Sequence, residues 1–209
     1  MCEGGVRMRE FNIVLAGVGG QGTLLAAEVL GTAAVKESLN VRVSEIHGMA
    51  QRGGAVVSDV RIGEGVLAAT ILDEEADVLL GFEQIETLRN LRYASEKTLV
   101  IMSDERITPT ELTAKNVPYP NLKEIKAKIN RFTKKIIAVE TARLAREAGN
   151  VLTQNIVLIG ALAGTGKMPV KDENIMAAMC ELIPRKYLDA NVKAFKLGYE
   201  YARKSKAKS

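Results

Sequence analysis

Residues 11–30 read FNIVLAGVGGQGTLLAAEVL, and this stretch decides the fold. A short run rich in strand-forming residues leads into a turn with four glycines, and a segment with helical periodicity follows. Gly17, Gly19 and Gly22 have the spacing G-x-G-x-x-G, which permits a tight turn, close approach of a ligand to the backbone and close helix–strand packing. The free N–H groups at the start of the helix suit a phosphate or carboxylate. The stretch therefore predicts a binding site above the first strand of an α/β fold.

The length of 209 residues, with 47% hydrophobic and 26% charged residues, is typical of one globular domain with an ample core. We expect a flexible N-terminus at residues 1–9, a single domain at residues 10–204 and a basic tail at residues 205–209. The fold class that we predict is α/β, with a Rossmann-like mixed sheet flanked by helices and a C-terminal helical layer.

Composition excludes several function classes. Aromatic residues make up only 4% of the chain and Trp is absent, so a platform for stacking nucleic acid bases is not expected. The longest later apolar stretch, residues 156–163, is far shorter than the roughly 20 residues of a membrane span, and no signal peptide is recognisable. We therefore expect a cytoplasmic protein that binds neither nucleic acid nor membrane. Cys2 and Cys180 cannot hold an iron–sulfur cluster, which normally takes four thiolates, and no metal site is predicted.

Hydrophobic periodicity predicts the further elements. Strands are expected at residues 40–46, 55–62, 77–81, 98–102 and 135–139, and helices at residues 21–37, 84–94, 121–132, 140–148, 155–162, 171–182 and 189–204. Residues 107–119 carry prolines and little periodicity, and are expected to be mostly loop. The loop before the strand at residues 55–62 is too short for a helical crossover, so this strand should run antiparallel to its neighbour.

This short connection bears on cofactor choice. A dinucleotide fold usually places an acidic residue at the tip of its second strand, and Glu45 is near that position. The chain then turns directly into the next strand, so the second half of a nucleotide-binding fold is not assembled in the usual way. A stand-alone Rossmann-type nucleotide-binding protein remains an alternative.

Residues 46–54 read IHGMAQRGG and form a second polar loop. His47 is the only histidine of the chain, with no metal-ligand partners and no nucleophile elbow nearby. Arg52 is the group of this loop best suited to an anionic partner. The alternative, a loop held only by side-chain-to-backbone hydrogen bonds, stays open. Because no catalytic residue can be assigned, the sequence predicts a binding or partner subunit of a larger enzyme.

Two motifs together carry a resemblance to a known family. The segments VLAGVGGQG at residues 14–22 and EIHGMAQRGG at residues 45–54 resemble the gamma-domain family of 2-oxoacid:ferredoxin oxidoreductases, in particular the small (beta) subunit of its indolepyruvate branch. The segments Asn155–Leu162 and Asn191–Gly198 look like the family's closing helices. The resemblance covers about residues 10–200.

The resemblance implies an enzyme of two chains. Thiamine diphosphate, Mg²⁺ and the iron–sulfur clusters would lie on the large (alpha) subunit, and this chain alone would bind no cofactor and be inactive. The complex would oxidatively decarboxylate an arylpyruvate, with coenzyme A as acyl acceptor and ferredoxin as electron acceptor. A gamma subunit of a pyruvate or 2-oxoglutarate ferredoxin oxidoreductase is the nearest alternative. The residues expected to contribute to cofactor binding are Gly17, Gly19, Gly20, Gln21, Gly22, His47, Gln51 and Arg52.

Overall fold

A computed structural model describes residues 10–48, 53–106 and 118–206 of the chain. In this part of the chain, a mixed sheet of six strands lies between two layers of helices. The strands are β1 (Phe11–Val18), β2 (Val41–His47), β3 (Ala55–Ile62), β4 (Val78–Gly81), β5 (Leu99–Ser103) and β6 (Ile136–Val139). The helices are α1 (Thr23–Lys36), α2 (Gln84–Arg89), α3 (Leu122–Ile129), α4 (Thr141–Ala148), α5 (Gln154–Gly164), α6 (Asp172–Leu182) and α7 (Arg185–Lys206).

The strand order is β2-β3-β1-β4-β5-β6. Strands β1, β4, β5 and β6 are parallel, whereas β3 runs antiparallel to both β1 and β2. The antiparallel direction predicted for residues 55–62 is therefore confirmed. The chain leaves β1 toward β2 on one side of the sheet and leaves β4 toward β5 on the other. This reversal creates a crevice at the carboxyl ends of β1 and β4, where ligands bind in open α/β sheets.

Each face of the sheet has its own core. Side chains such as Ile13 and Leu15 of β1 point toward the helices α1 and α4 to α7, and pack against apolar residues of those helices. The alternating residues Val14 and Ala16 point to the other face, where α2, α3 and the connection between β3 and β4 lie. Burial of central strands on both faces explains the continuous apolar runs of β4 and β5.

The C-terminal helical layer depends on close contact between α5 and α7. A Cβ atom added to Gly160 would lie 2.1 Å from the carbonyl oxygen of Phe195, and one added to Gly198 would lie 2.0 Å from that of Val157. The two backbones are thus closer than any side chain would allow. Since α5 begins at the carboxyl edge of the sheet, this contact also fixes where its first residues lie.

Several predicted boundaries differ from the structure. The helix expected at residues 84–94 ends at Arg89, and a separate 3-10 turn follows at Leu91–Tyr93. At the end of this helix, the backbone N–H and the side-chain amide of Asn90 both donate to the carbonyl of Glu86, at 3.2 Å and 2.9 Å. Helix α7 begins four residues earlier than expected, directly after Pro184, and continues through Lys206 into the segment predicted as tail.

Other predictions are confirmed or lie outside the described residues. Asn121 caps α3 in a reciprocal capping box with Glu124, although the helix ends at Ile129 and not at residue 132. Gly149 ends α4 in the left-handed conformation, as its position predicted. The predicted N-terminal segment 1–9 and most of the predicted loop 107–119 lie outside the described residues.

Replacing Gly160 with Ala should force α5 and α7 apart. We expect the free energy of unfolding to fall by about 1–3 kcal/mol through overpacking, although Ala is about 1 kcal/mol more favourable than Gly inside a helix. Gly31→Ala in α1 is the matched control, since its Cβ would lie 3.2 Å from Cγ2 of Val43, the end of a side chain. Urea unfolding of both variants provides the measurement. An equal loss in free energy of unfolding for the two variants would contradict a backbone contact that is specific to Gly160.

Candidate functional site

The glycine loop after β1 is tied to both neighbouring chain segments. The N–H of Val18 donates to Oε1 of Gln21 at 2.8 Å, and Nε2 of Gln21 donates to the carbonyl of Phe82 at 2.8 Å. Gln21 therefore connects the ends of β1 and β4 across the crevice. On the other side, the N–H of Gly19 donates to the carbonyl of Gly54 at 2.8 Å. This bond joins the glycine loop to the end of the second loop that the sequence singled out.

The glycines of this loop have different structural roles. Gly20 and Gly22 have φ angles of 99° and 74°, in the left-handed region that favours glycine. Gly22 also has no room for a side chain, because a Cβ atom would lie 2.5 Å from Nδ2 of Asn155. The loop can therefore lie directly against the first turn of α5. Gly19 contributes its N–H group and does not adopt the left-handed conformation.

Three helices begin around one cavity of about 180 Å³ at this crevice. The cavity is lined by Gly20, Gln21, Phe82, Ser103, Thr141, Val151, Leu152, Gln154, Asn155 and Leu158. Its wall thus includes the glycine loop before α1 and the first residues of α4 and α5. None of these helices has an acidic residue in its first turn, and the residue before each helix accepts no N–H with its side chain. Two of the N–H groups are nonetheless occupied, because the Asp104 carboxylate accepts that of Thr141 in α4 and the Asn155 side chain accepts that of Ile156 in α5. The remaining N–H groups and positive dipole ends of α1 and α5 favour an anion in the cavity.

A carboxylate also occupies the N-terminus of the fourth helix at this edge. Glu83 is fully buried, and its side chain accepts the N–H of Glu86 at 2.9 Å as the N-cap of α2. The other oxygen of Glu83 accepts a hydrogen bond from the hydroxyl of Tyr119. Burial, followed by this hydrogen bond, raises the pKa of Tyr119 well above its ordinary value, so the phenol stays protonated. The anion-attracting part of the edge therefore lies on the side of α1 and α5.

A chain of hydroxyl groups sets the hydrogen-bonding role of Gln154. The N–H of Glu105 donates to Oγ of Ser103 at 3.0 Å, and Oγ of Ser103 lies 2.6 Å from Oγ1 of Thr141. The Thr141 hydroxyl in turn donates to Oε1 of Gln154 at 2.8 Å. Because the Gln154 oxygen is used as an acceptor in this chain, its NH₂ group is left as a donor on the cavity wall.

The other acidic side chain near the start of α4 is engaged away from the cavity. Glu140 precedes α4 but forms an ion pair with Arg143 on the outer face of that helix. Asn155 is oriented by two contacts, since its Nδ2 donates to the carbonyl of Gly22 at 3.3 Å and its Oδ1 accepts the N–H of Ile156 at 2.9 Å. The cavity wall is thus made of neutral donors and apolar groups.

The second loop is described only at its two ends. His47 ends β2 and is half-exposed, with its Nε2 3.5 Å from a carboxylate oxygen of Glu45. Gly48 donates its N–H to the carbonyl of Ala55 at 2.8 Å, which closes the hairpin at the same edge as the glycine loop. Gln51 and Arg52 lie outside the described residues. The structure therefore brings the ends of both predicted loops together, while the roles of their side chains stay predictions.

Two negative findings apply to residues 10–48, 53–106 and 118–206. No group of three or more His, Cys, Asp and Glu side chains is placed to hold a metal ion there. No helix in these ranges is long and apolar enough to cross a membrane.

Sequence reasoning missed Ser103, Thr141 and Gln154 as cavity residues. They are far apart in the chain, and no motif connects them. A usable signal was nevertheless present, because Ser103 ends a buried strand, while Thr141 and Gln154 begin helices. Polar residues at such positions meet at the carboxyl edge of a parallel sheet.

Comparison with known proteins gives a consistent result. The model of the family described as pyruvate ferredoxin/flavodoxin oxidoreductase matches residues 12–201. The chain is 44% identical to the indolepyruvate oxidoreductase subunit IorB of Pyrococcus horikoshii, over 94% of this chain and 98% of that protein. It is 28% identical to the 2-oxoglutarate synthase subunit KorC of Archaeoglobus fulgidus, over 94% and 90% of the two chains. The crystal structure of the keto/oxoacid ferredoxin oxidoreductase gamma subunit of Geobacter sulfurreducens PCA is 25% identical, with a TM-score of 0.66 over 92% of this chain and 98% of that chain.

Replacing Gln21 with Glu tests the link between β1 and β4. A carboxylate still accepts the N–H of Val18 but cannot donate to the carbonyl of Phe82, so we expect about 1–3 kcal/mol lower stability at pH 7. Because only the protonated carboxyl can donate to the carbonyl of Phe82, folding should raise the pKa of the new carboxyl above its value in the unfolded chain. The loss in free energy of unfolding should therefore be present at neutral pH and become smaller as the pH falls through this raised pKa. Thermal unfolding from pH 4 to pH 7 provides the measurement, and a deficit independent of pH would contradict the assigned hydrogen bond.

Proposed function

The chain belongs to the pyruvate ferredoxin/flavodoxin oxidoreductase family, and we propose that it is the small subunit of a ferredoxin-dependent indolepyruvate oxidoreductase. The observation that carries this proposal is the 44% identity to an indolepyruvate oxidoreductase subunit over nearly the full length of both chains. The lower identity of 28% to the 2-oxoglutarate synthase subunit favours the indolepyruvate branch.

In the proposed complex, the large subunit carries thiamine diphosphate, Mg²⁺ and the iron–sulfur clusters. This assignment agrees with the cysteine content of the chain, which is two, since an iron–sulfur cluster normally takes four thiolates. The complex would oxidatively decarboxylate an arylpyruvate, transfer the acyl group to the thiol of coenzyme A and pass the electrons to ferredoxin. By itself, the small subunit would have no oxidoreductase activity.

The part of this chain in that reaction would be to hold an anionic group at the carboxyl edge of its sheet. The cavity offers the N-termini of α1 and α5 together with the NH₂ group of Gln154. A phosphate of coenzyme A or the carboxylate of the 2-oxoacid has the charge that these donors favour. The residues proposed to bind this group are Gly17, Gly19, Gly20, Gln21 and Gly22 of the glycine loop and His47, Gln51 and Arg52 of the second loop. Arg52 would add a guanidinium, which can bind a phosphate or carboxylate with two parallel hydrogen bonds.

Co-expression with the large subunit from the same organism tests the function. The purified complex should reduce a viologen dye in the presence of both indolepyruvate and coenzyme A, and much more slowly with pyruvate or 2-oxoglutarate. Each subunit alone should be inactive, and the isolated small subunit should be colourless after anaerobic purification. The proposal fails if the two chains do not associate, or if the large subunit alone is as active as the complex.

Replacing Gln154 with Glu tests the anion site within that complex. Glu retains the oxygen that accepts from Thr141 but replaces the NH₂ donor with a negative charge. We expect the KM for coenzyme A or for indolepyruvate to rise at least about tenfold, since a hydrogen bond to a charged group contributes about 1.5–3 kcal/mol.

Asn40→Asp is the matched control for charge, because Asn40 lies just before β2 at the opposite edge of the sheet. Steady-state kinetics and thermal unfolding of both variants should be compared. Unchanged KM values for both substrates in the Gln154 variant would rule out an anion at this wall of the cavity.

A further inference from the structure

We propose that a basic segment around helix α3 is the surface onto which an acidic electron carrier, the ferredoxin of the proposed function, docks. The inference rests on that function, which requires a carrier to bind and leave. The basic segment is residues 121–135, with the sequence NLKEIKAKINRFTKK. Its excess of five positive charges is larger than the formal net charge of the whole chain, which is +4. The six basic residues are Lys123, Lys126, Lys128, Arg131, Lys134 and Lys135, and the one acidic residue is Glu124.

The positive charges of the basic segment are not neutralised by the part of the chain that the structure describes. Among residues 10–48, 53–106 and 118–206, none of the six cations belongs to an ion pair. Glu124 serves the capping box of α3, where its carboxylate accepts the N–H of Asn121 at 2.9 Å. Because like charges held close together repel one another, this surface gains free energy when an acidic partner approaches.

The dipole of α3 accounts for only part of this charge. Lys126 and Lys128 lie in the last turn of the helix, where a cation is favourable. Arg131 and Lys135 lie beyond the helix end at Ile129, and both side chains are exposed. The excess charge at the end of the segment is therefore not needed to stabilise the helix.

The turn that ends the basic segment is held firmly against the sheet. Thr133 is buried, and its hydroxyl donates to the carbonyl of Thr98 at 2.7 Å and accepts the N–H of Lys135 at 3.1 Å. Next to it, Phe132 is 41% exposed. Aromatic residues and arginines are enriched in protein interfaces. The turn thus presents an aromatic ring among cations in a fixed position.

A second cavity continues the basic surface at the start of β6. It has a volume of about 270 Å³, and Lys134 and Lys135 line it together with Lys167, which follows α5. The apolar part of its lining consists of Leu99, Ile136 and Ile137. Positive charge from two distant parts of the chain therefore meets here, at a concave site into which an acidic side chain of a partner fits.

The position of the basic turn favours a partner other than the chain that covers the glycine loop. Strand β6 runs parallel to β1 through β5 and β4, so the turn before β6 lies at the edge of the sheet opposite the glycine loop. A chain docked over the cavity at the glycine loop need not cover this edge. The carrier can then reach the basic segment while the complex stays assembled.

The composition of the basic segment favours a transient partner. Permanent interfaces are depleted in charged residues at their core, whereas encounters between redox proteins are small, and opposite charges guide them. Oxidation of a 2-oxoacid to an acyl thioester releases two electrons, so a one-electron carrier must bind and leave twice in each turnover. The electrons would come from a cluster of the large subunit, and the carrier would therefore contact both chains.

Charge reversal tests this docking surface in the assembled two-subunit complex. The double variant Lys128→Glu, Arg131→Glu changes two exposed side chains of the basic segment. We expect its KM for an acidic ferredoxin to rise at least about tenfold, because the attraction that guides docking becomes repulsion. The kcat with a viologen dye should be unchanged, since a small dye needs no docking surface.

Lys193→Glu, Lys196→Glu is the matched control, because it changes the net charge equally at two exposed positions of α7. This helix packs on the other face of the sheet from α3. The control should keep the KM of the unmodified complex for ferredoxin. Raising the ionic strength should lower kcat/KM for ferredoxin in the unmodified complex and in the control, and less so in the Lys128 and Arg131 variant.

The possible outcomes separate the inference from the proposed function. If the unmodified complex reduces neither viologen nor ferredoxin with indolepyruvate, both fail. If viologen reduction is normal and the KM for ferredoxin is the same in the Lys128 and Arg131 variant as in the control, only the docking surface is wrong. A kcat/KM for ferredoxin that does not depend on salt in the unmodified complex would contradict it even if a variant did not fold.

Two further results would assign the basic segment to another partner. Loss of association with the large subunit in the Lys128 and Arg131 variant, with thermal unfolding unchanged, would make the segment part of the interface between the subunits. Binding of the unmodified complex to RNA or to phosphatidylglycerol vesicles, with ferredoxin reduction unaffected by the variant, would indicate a different anionic partner. Either result overturns the inference.

Discussion

The close approach between Gly22 and Asn155 is the contact on which the site depends. A left-handed residue without a side chain lets the start of α1 lie against the start of α5, and the Asn155 amide then bonds to the Gly22 carbonyl. Helix α5 cannot move away from this position, because its glycines place it in backbone contact with α7. The glycine loop and the C-terminal helical layer are therefore parts of one structural unit, although more than a hundred residues separate them.

The charge distribution at the sheet edge follows from which helices carry a cap. The carboxylate of Glu83 satisfies the N-terminus of α2, and this carboxylate is itself held by Tyr119. At α4 the Asp104 carboxylate accepts the N–H of Thr141, whereas the starts of α1 and α5 have no carboxylate, so the positive ends of these two helix dipoles face the cavity. A neutral chain of hydroxyl groups and the Gln154 amide complete this wall without adding negative charge. The result is a cavity suited to an anion on one side of the crevice only.

Local patterns in the sequence predicted much of the fold. The strand, glycine loop and helix at residues 11–30 follow from periodicity and glycine spacing, and the short loop before β3 correctly required an antiparallel strand. Residues 84–94 show the limit of periodicity, because a continuous helical pattern corresponds to a helix and a separate 3-10 turn on either side of Asn90. Ser103, Thr141 and Gln154 could not be assigned to one cavity, since their meeting depends on strand order and not on any local motif. The shape of the loop that contains Gln51 and Arg52 lies outside the described residues, so the part of the site expected there stays a prediction.

In the proposed function, the starts of α1 and α5 beside the glycine loop hold an anionic group of a substrate. The most direct measurement is an experimental structure of the assembled two-subunit complex with coenzyme A bound. We expect a phosphate or carboxylate within hydrogen-bonding distance of the backbone N–H groups that follow Gln21 and of the Gln154 amide. Coenzyme A bound with all its phosphates away from this cavity, and no substrate carboxylate in it, would contradict an anion site at these helix starts.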